Sequence, residues 1–222
     1  MIQEFLKVPA STLWLAASQT IYMVCFSLLA GTVLGMALAL VMVLTRPYGL
    51  LANRPIFFVV SSAVNIVRSV PFIILLVAIM PFTKFVVGTR IGTTAALVPL
   101  IVNIAPYLAR LFENSILEVS EGIIEAAKSM GATTWQTIWH FLLPEARASL
   151  VLSVTTGTIG LLGSTAMAGV IGAGGVGNLA INYGYERLNM PLMAVTVLIL
   201  VVAVQLIQTF GNIAAQKLRH LS

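Results

Sequence analysis

Residues 20–44 read TIYMVCFSLLAGTVLGMALALVMVL, a run without a single charge. A helix rises about 1.5 Å per residue, and about 20 apolar residues cross the ~30 Å hydrocarbon core of a bilayer. This stretch therefore predicts a membrane span over about 20–44, closed by Thr45-Arg46-Pro47. Apolar sequence already begins at Leu13, and the run to Leu44 is far longer than the 7–15 residues of a signal-peptide core. With only Lys7 beside Glu4 ahead of it, the segment reads as a helix that stays in the membrane.

Four further runs repeat the pattern, at about 56–82, 92–111, 148–171 and 191–210. The expected fold class is all-α: one polytopic membrane domain over residues 1–222 with five transmembrane helices. Composition agrees, with 59% of residues hydrophobic and 9% charged, against about 25% charged in soluble domains. The net charge of +5 does not point to nucleic acid, because the basic residues are scattered in the gaps between apolar runs. The lone cysteine, Cys25, lies inside the first run and forms no internal disulfide.

The second run carries Arg68 near its middle. Splitting it there leaves Ile56–Val67, about 18 Å of helix and too short to cross. One long tilted helix is the expectation, with Arg68 snorkelling or facing the bundle interior. Asn65 and Arg68 are thus a candidate polar site at membrane depth, and Asn65 with Pro71 suggests a buried face. Orientation follows from the basic residues. The connections after spans one and three and the C-terminus hold seven (Arg46, Arg54, Arg110, Lys128, Arg147, Lys217, Arg219); the other side holds four (Lys7, Lys84, Arg90, Arg187). That bias predicts an outside N-terminus and a cytoplasmic C-terminus.

The fourth run, LVLSVTTGTIGLLGSTAMAGVIG, is rich in small and hydroxylated residues. Such residues pack helices closely in lipid or line a wet path. Ser164, Thr165 and Met167 are the pathway candidates, Met167 as a flexible plug. Asn103 and Asn65 are further ones.

The connection at about 113–147 reads as two short helices. Ser120 is placed to cap the first and Gly131 to stop it; Thr133 with Gln136 makes a capping box for the second, which ends at Pro144. Two alanines on one face permit close approach of a partner. Trp135, Ile138 and Trp139 form an apolar face that must bury against something: a partner, the bundle itself or the lipid interface.

Within this connection, EAAKSMGATTWQTIWHFLLPEA (Glu125–Ala146) resembles the cytoplasmic coupling loop of ABC importer permeases. The pattern is Glu-Ala-Ala, three residues, Gly, nine residues, Ile-x-Leu-Pro. Glu125, Ala126, Ala127, Gly131, Leu143 and Pro144 match in register, with Phe141 where Ile is usual. The segments NIVRSVPFIILL, PFTKFVVGTRIG and GAGGVGNLAINYGY (Asn65–Leu76, Pro81–Gly92 and Gly172–Tyr185) are similar to the permease of methionine importers. The resemblance implies a type I importer permease fold, a homodimer and methionine as cargo. It implies that the coupling loop, with Ala132 and Trp135 among its contacts, docks into a cytoplasmic ATPase, one per copy. ATP and magnesium would sit on that ATPase, with no cofactor on this chain. A substrate-binding lipoprotein would deliver the solute outside the bacterial cytoplasmic membrane. Glu125 would touch the ATPase or cap the loop's own backbone.

Other chemistries fit poorly. Gly172, Gly174 and Gly177 spell GxGxxG, but a membrane helix precedes them and no acid follows at about 20 residues; a flexible outer loop is expected instead. There is no Gly-Lys pair, hence no phosphate loop and no ATP hydrolysis by this chain. His140 and His220 with one cysteine do not supply the clustered ligands of a metal site. Ser164 as an intramembrane nucleophile lacks a base, since Arg68 stays protonated. A passive channel would need no docking loop.

Overall fold

The computed structural model describes residues 8–219, all of them in helices, turns or short connections. Glu4, Lys7 and His220 lie outside the described residues. Helix α1 (Ala10–Thr45) starts ten residues ahead of the expected span. No Gly or Pro interrupts residues 10–19, and Pro9 sits at the N-cap, where a missing N–H is harmless.

The second apolar run is not one tilted helix. It breaks into α2 (Arg54–Ser69), α3 (Phe72–Ala78) and α4 (Met80–Val87), with α2 and α3 bent by 103°. Pro71 is the cause. Its ring pushes the preceding residue out of the helical region, and Val70 sits at φ −86°, ψ 123°. The start of α2 is locally encoded: Asn53 accepts from Ile56 N–H at 3.2 Å, and Pro55 follows in the first turn.

Helix α5 (Thr93–Leu117) runs six residues past the expected end of span three, so Glu113 belongs to the same helix as Arg110 and not to the connection. After it come α6 (Glu121–Ser129) and α7 (Thr134–Gln136). Pro144, expected to close the second short helix, does not. The chain passes through a π-turn at Thr137–Leu142 into α8 (Leu143–Ala168), and the whole of Thr134–Ile171 is one helical rod. The wide turn moves the carbonyl that the proline ring would meet, and Leu143 N–H reaches back to Ile138 O.

The Gly172–Tyr185 stretch, expected as a flexible loop, is packed. It forms α9 (Gly175–Asn178) and a π-turn at Leu179–Tyr185, burying Val176, Leu179 and Ala180. Gln19 and Thr20 of α1 accept the N–H groups of Gly175 and Val176, each at 2.9 Å, and Thr93 Oγ1 donates to Ala173 O at 2.8 Å. These bonds satisfy backbone that lipid could not. Helix α10 (Met190–Arg219) closes the chain.

The core is the α1–α5 seam, with α8 laid across it. Met23, Leu100, Ile104, Leu108, Phe112 and Leu161 are buried together. Gly31 and Gly35 let α1 approach closely: a Cβ on Gly35 would meet Ala105 O at 2.9 Å and Ala109 N at 3.2 Å. By contrast, only 11% of the most apolar window of α10 is buried, against 56% for α5. The rest of α10 presents Val197, Leu198, Val201, Leu206 and Phe210 outward, as a lipid-facing helix should.

Candidate functional site

The elbow between α5 and α8 is built from local signals. Helix α6 ends in a Schellman motif: Gly131 N–H donates to Lys128 O at 2.9 Å and Ala132 N–H to Ala127 O at 3.0 Å. Gly131 takes φ +72°, the left-handed region that glycine enters without strain. The predicted capping box forms. Gln136 N–H donates to Thr133 Oγ1 at 3.3 Å, and Thr133 N–H to Gln136 Oε1 at 2.9 Å. Ser120 stands at the N-cap of α6, but its side chain makes no capping bond.

Helical phase sorts the elbow's side chains. Ala127 is fully buried while Ala126 is exposed, so the two alanines do not share one face. Likewise Ile138 turns inward with Leu142, against Val43, Ile116 and Val119. Trp135 and Trp139, one turn apart, face out at 65% and 49% exposure, their rings edge-on with centroids 5.4 Å apart. Glu125 and Pro144 are exposed, Ala132 and Leu143 partly so. Glu125 has no hydrogen-bond partner among the described residues, so it does not cap the loop there.

A second feature went unseen in the sequence. Arg110 Nη1 pairs with Glu113 Oε2 at 2.6 Å. Its Nη2 donates across to α2: to Ser61 Oγ at 2.5 Å, Ser61 O at 3.3 Å and Asn65 Oδ1 at 2.9 Å. Glu113 is only 5% exposed. A buried charge is tolerated only when paired, and breaking such a pair costs about 3–5 kcal/mol. The signal was present as two short polar spacings, Ser61 with Asn65 and Arg110 with Glu113. Ending span three at residue 111 cuts Glu113 off from Arg110 and counts Arg110 with the connection, which hides the pair. Asn65 is therefore a partner of Arg110. Arg68, expected to snorkel or to face the bundle interior, is exposed on the last turn of α2.

Of the pathway candidates, Ser164 and Asn103 meet, with Asn103 Nδ2 donating to Ser164 Oγ at a long 3.4 Å. Met167 is 48% exposed on the open stripe of α8 that also carries Gly160 and Gly163. Thr165 is not on that stripe; it is buried and donates to Leu162 O at 2.7 Å. Thr155, Thr156 and Thr158 also bond carbonyls of their own helix. On the buried side of α8 small residues serve packing: a Cβ on Gly157 would fall 2.4 Å from Leu108 Cδ2.

Residues 31–220 match the profile of the binding-protein-dependent transport system inner membrane component. The chain belongs to that permease family. The permease is 45% identical over 219 residues to the probable D-methionine transport system permease protein MetI of Vibrio cholerae, covering 99% of this chain and 97% of that one. It is 43% identical over 209 residues to the methionine import system permease protein MetP of Bacillus subtilis, covering 94% of each. Its fold superposes on a chain of the MetNI methionine ABC transporter in an inward-facing conformation with a TM-score of 0.91 at 42% identity, covering 95% of this permease and 99% of that chain. It is thus a multi-pass membrane transport component and not an enzyme.

Proposed function

We propose that this permease imports methionine, in its D- or L-form, as the membrane subunit of an ABC transporter. The observation that carries the reading is likeness to methionine permeases along nearly the whole chain, the elbow included. Two copies would form one pathway of ten spans. Each copy would offer its elbow to one ATPase subunit, which holds the ATP and magnesium. Glu125, Ala126 and Trp135 are the exposed elbow groups available for that contact; Ala127, Ala132, Gly131, Leu143 and Pro144 shape the backbone that presents them. An exposed tryptophan pair on the first turns of the long rod suits a helix-in-groove contact. Closure of the ATPase pair would drive the elbows together and rock the bundle between inward-open and outward-open states.

In this reading the elbow and the C-terminus are cytoplasmic and the N-terminus is outside. A substrate-binding lipoprotein delivers methionine to the outer mouth. Ser164, Asn103 and Met167, on the uncovered side of α8, line the path. Arg68 borders it on α2, while the Asn65 side chain is engaged by Arg110.

Labelled methionine uptake in a deletion strain tests the cargo: restoration by this chain with its ATPase supports it. Unchanged methionine uptake with loss of another solute's would redirect it. A thiol placed at the exposed Ser129 tests the orientation, because surface labelling of it in intact cells would put the elbow on the wrong side.

A further inference from the structure

Helix α2 is loosely held. Of its sixteen residues only Val64 is buried, against Met42 and Ala109. At its far end the chain turns by 103° at Val70–Pro71, where no helical ladder continues. Beyond Val64 the helix packs only through the half-buried Phe57 and Val60, so an arm with a hinge and so thin an apolar edge depends on its polar contacts for position. Those contacts come from Arg110, through Ser61 and Asn65.

Arg110 sits on α5, which runs unbroken to Leu117, and α6 of the elbow begins at Glu121. The intervening residues are anchored: Ile116 and Val119 pack with Ile138 and Leu142 at the start of the long rod. A displacement of the elbow therefore reaches α5 directly. Glu113, one turn beyond Arg110, holds the guanidinium by Nη1, so Nη2 is aimed at α2. The guanidinium is planar and carries its donors in a fixed fork, so it transmits orientation as well as charge.

We propose that Arg110 is the positioning residue through which the elbow moves the α2 arm about its Pro71 hinge, with Ser61 and Asn65 as the grip and Glu113 as the brace. The proposal rests on the importer reading above and deepens it: it says which bond couples ATP-driven movement to the opening of the path. A rigid element touched by both sites is the physical requirement for such coupling.

The test uses the complete complex with its ATPase in proteoliposomes, reading methionine moved per ATP hydrolysed. Ser61→Ala with Asn65→Ala removes both side-chain acceptors, leaving Arg110 only the 3.3 Å bond to the residue-61 carbonyl on α2, and keeps the Arg110–Glu113 pair in place, so the chain stays folded. Hydrolysis should persist while the ratio falls by about five-fold or more, the lower end of ordinary coupling. Ser61→Ala with Asn65→Asp, which returns an acceptor for Arg110, should recover most of the ratio. A purely structural role would lower hydrolysis and transport together and would not be rescued this way. Spin labels at the exposed Phe58 and Phe85 provide a second readout across the hinge. Their separation should change with nucleotide in the unaltered complex and stay fixed in the double alanine variant. An undiminished ratio, or the same distance change in that variant, overturns the proposal. Failure of the unaltered complex to move methionine counts against the importer reading instead.

Discussion

Helix α5 has two flanks, and they are held by opposite means. Against α1 it packs backbone to backbone, with Gly31 and Gly35 admitting Ile104, Ala105 and Leu108. Against α2 it offers a thin apolar edge, Ala109 with Val64 and the half-buried Phe57 and Val60, and a polar grip from Arg110. Lipid supplies no hydrophobic drive between helices, so close van der Waals packing makes the first flank a fixed seam. The second flank depends on a few directional bonds that break and reform without repacking a core. The elbow helix α6 belongs with the second kind, since it too buries a single residue, Ala127. Rigid and movable parts of this permease are distinguished by how much each buries.

The sharpest way to break this contrast is Arg110→Met. It leaves the Glu113 carboxylate buried without its partner, and a loss of about 3–5 kcal/mol is expected. Thermal unfolding of the solubilised complex measures it. Adding Glu113→Leu should recover most of the loss, because well-packed apolar replacement of both partners is close to neutral. Equal stability of Arg110→Met and the unaltered chain would mean that the second flank does not depend on the ion pair.

Next comes a pair of enlargements, one on each flank. Gly35→Val drives a branched side chain into the backbone of α5 and should cost about 1–3 kcal/mol. Ala63→Leu on the exposed side of α2 should stay within about 0.5 kcal/mol. Similar midpoints for the two in the same unfolding assay would erase the distinction between seam and arm.

At the elbow the expected cost is confined to the turn itself. A Cβ on Gly131 meets nothing within 4 Å, so the difficulty there is φ +72° alone. Gly131→Val should cost about 1–2 kcal/mol locally and Gly131→Asn clearly less, since Asn tolerates the left-handed region. Amide exchange of Gly131 and Ala132 reports this directly. Uptake should fall for Val and survive for Asn; equal uptake in both would remove the tight turn from the coupling device.

The helices of spans one, three, four and five were legible because each is a continuous apolar run. So were the elbow's turn and capping box, whose partners lie within six residues of each other. Boundaries failed where polar residues continue a helix, as Glu113 and Asn114 do in α5 and as residues 134–147 do into α8. The capping role of Ser120 also failed, because having the right residue at an N-cap does not oblige its hydroxyl to turn inward.

The sequence by itself determined that this chain lives in lipid, where four of its spans lie and where its elbow turns, because length, hydropathy and capping chemistry act over a few residues at a time. Only the tertiary structure decided that Pro71 folds the second run into a bent arm, that Arg110 grips that arm, and that the glycine-rich segment after α8 is pinned by Gln19 and Thr20. Each of those joins groups 45 or more positions apart or fixes a bend whose angle depends on what lies against it. No local rule names the partner of a polar group when several sites at similar depth offer one; the packing of the bundle selects it.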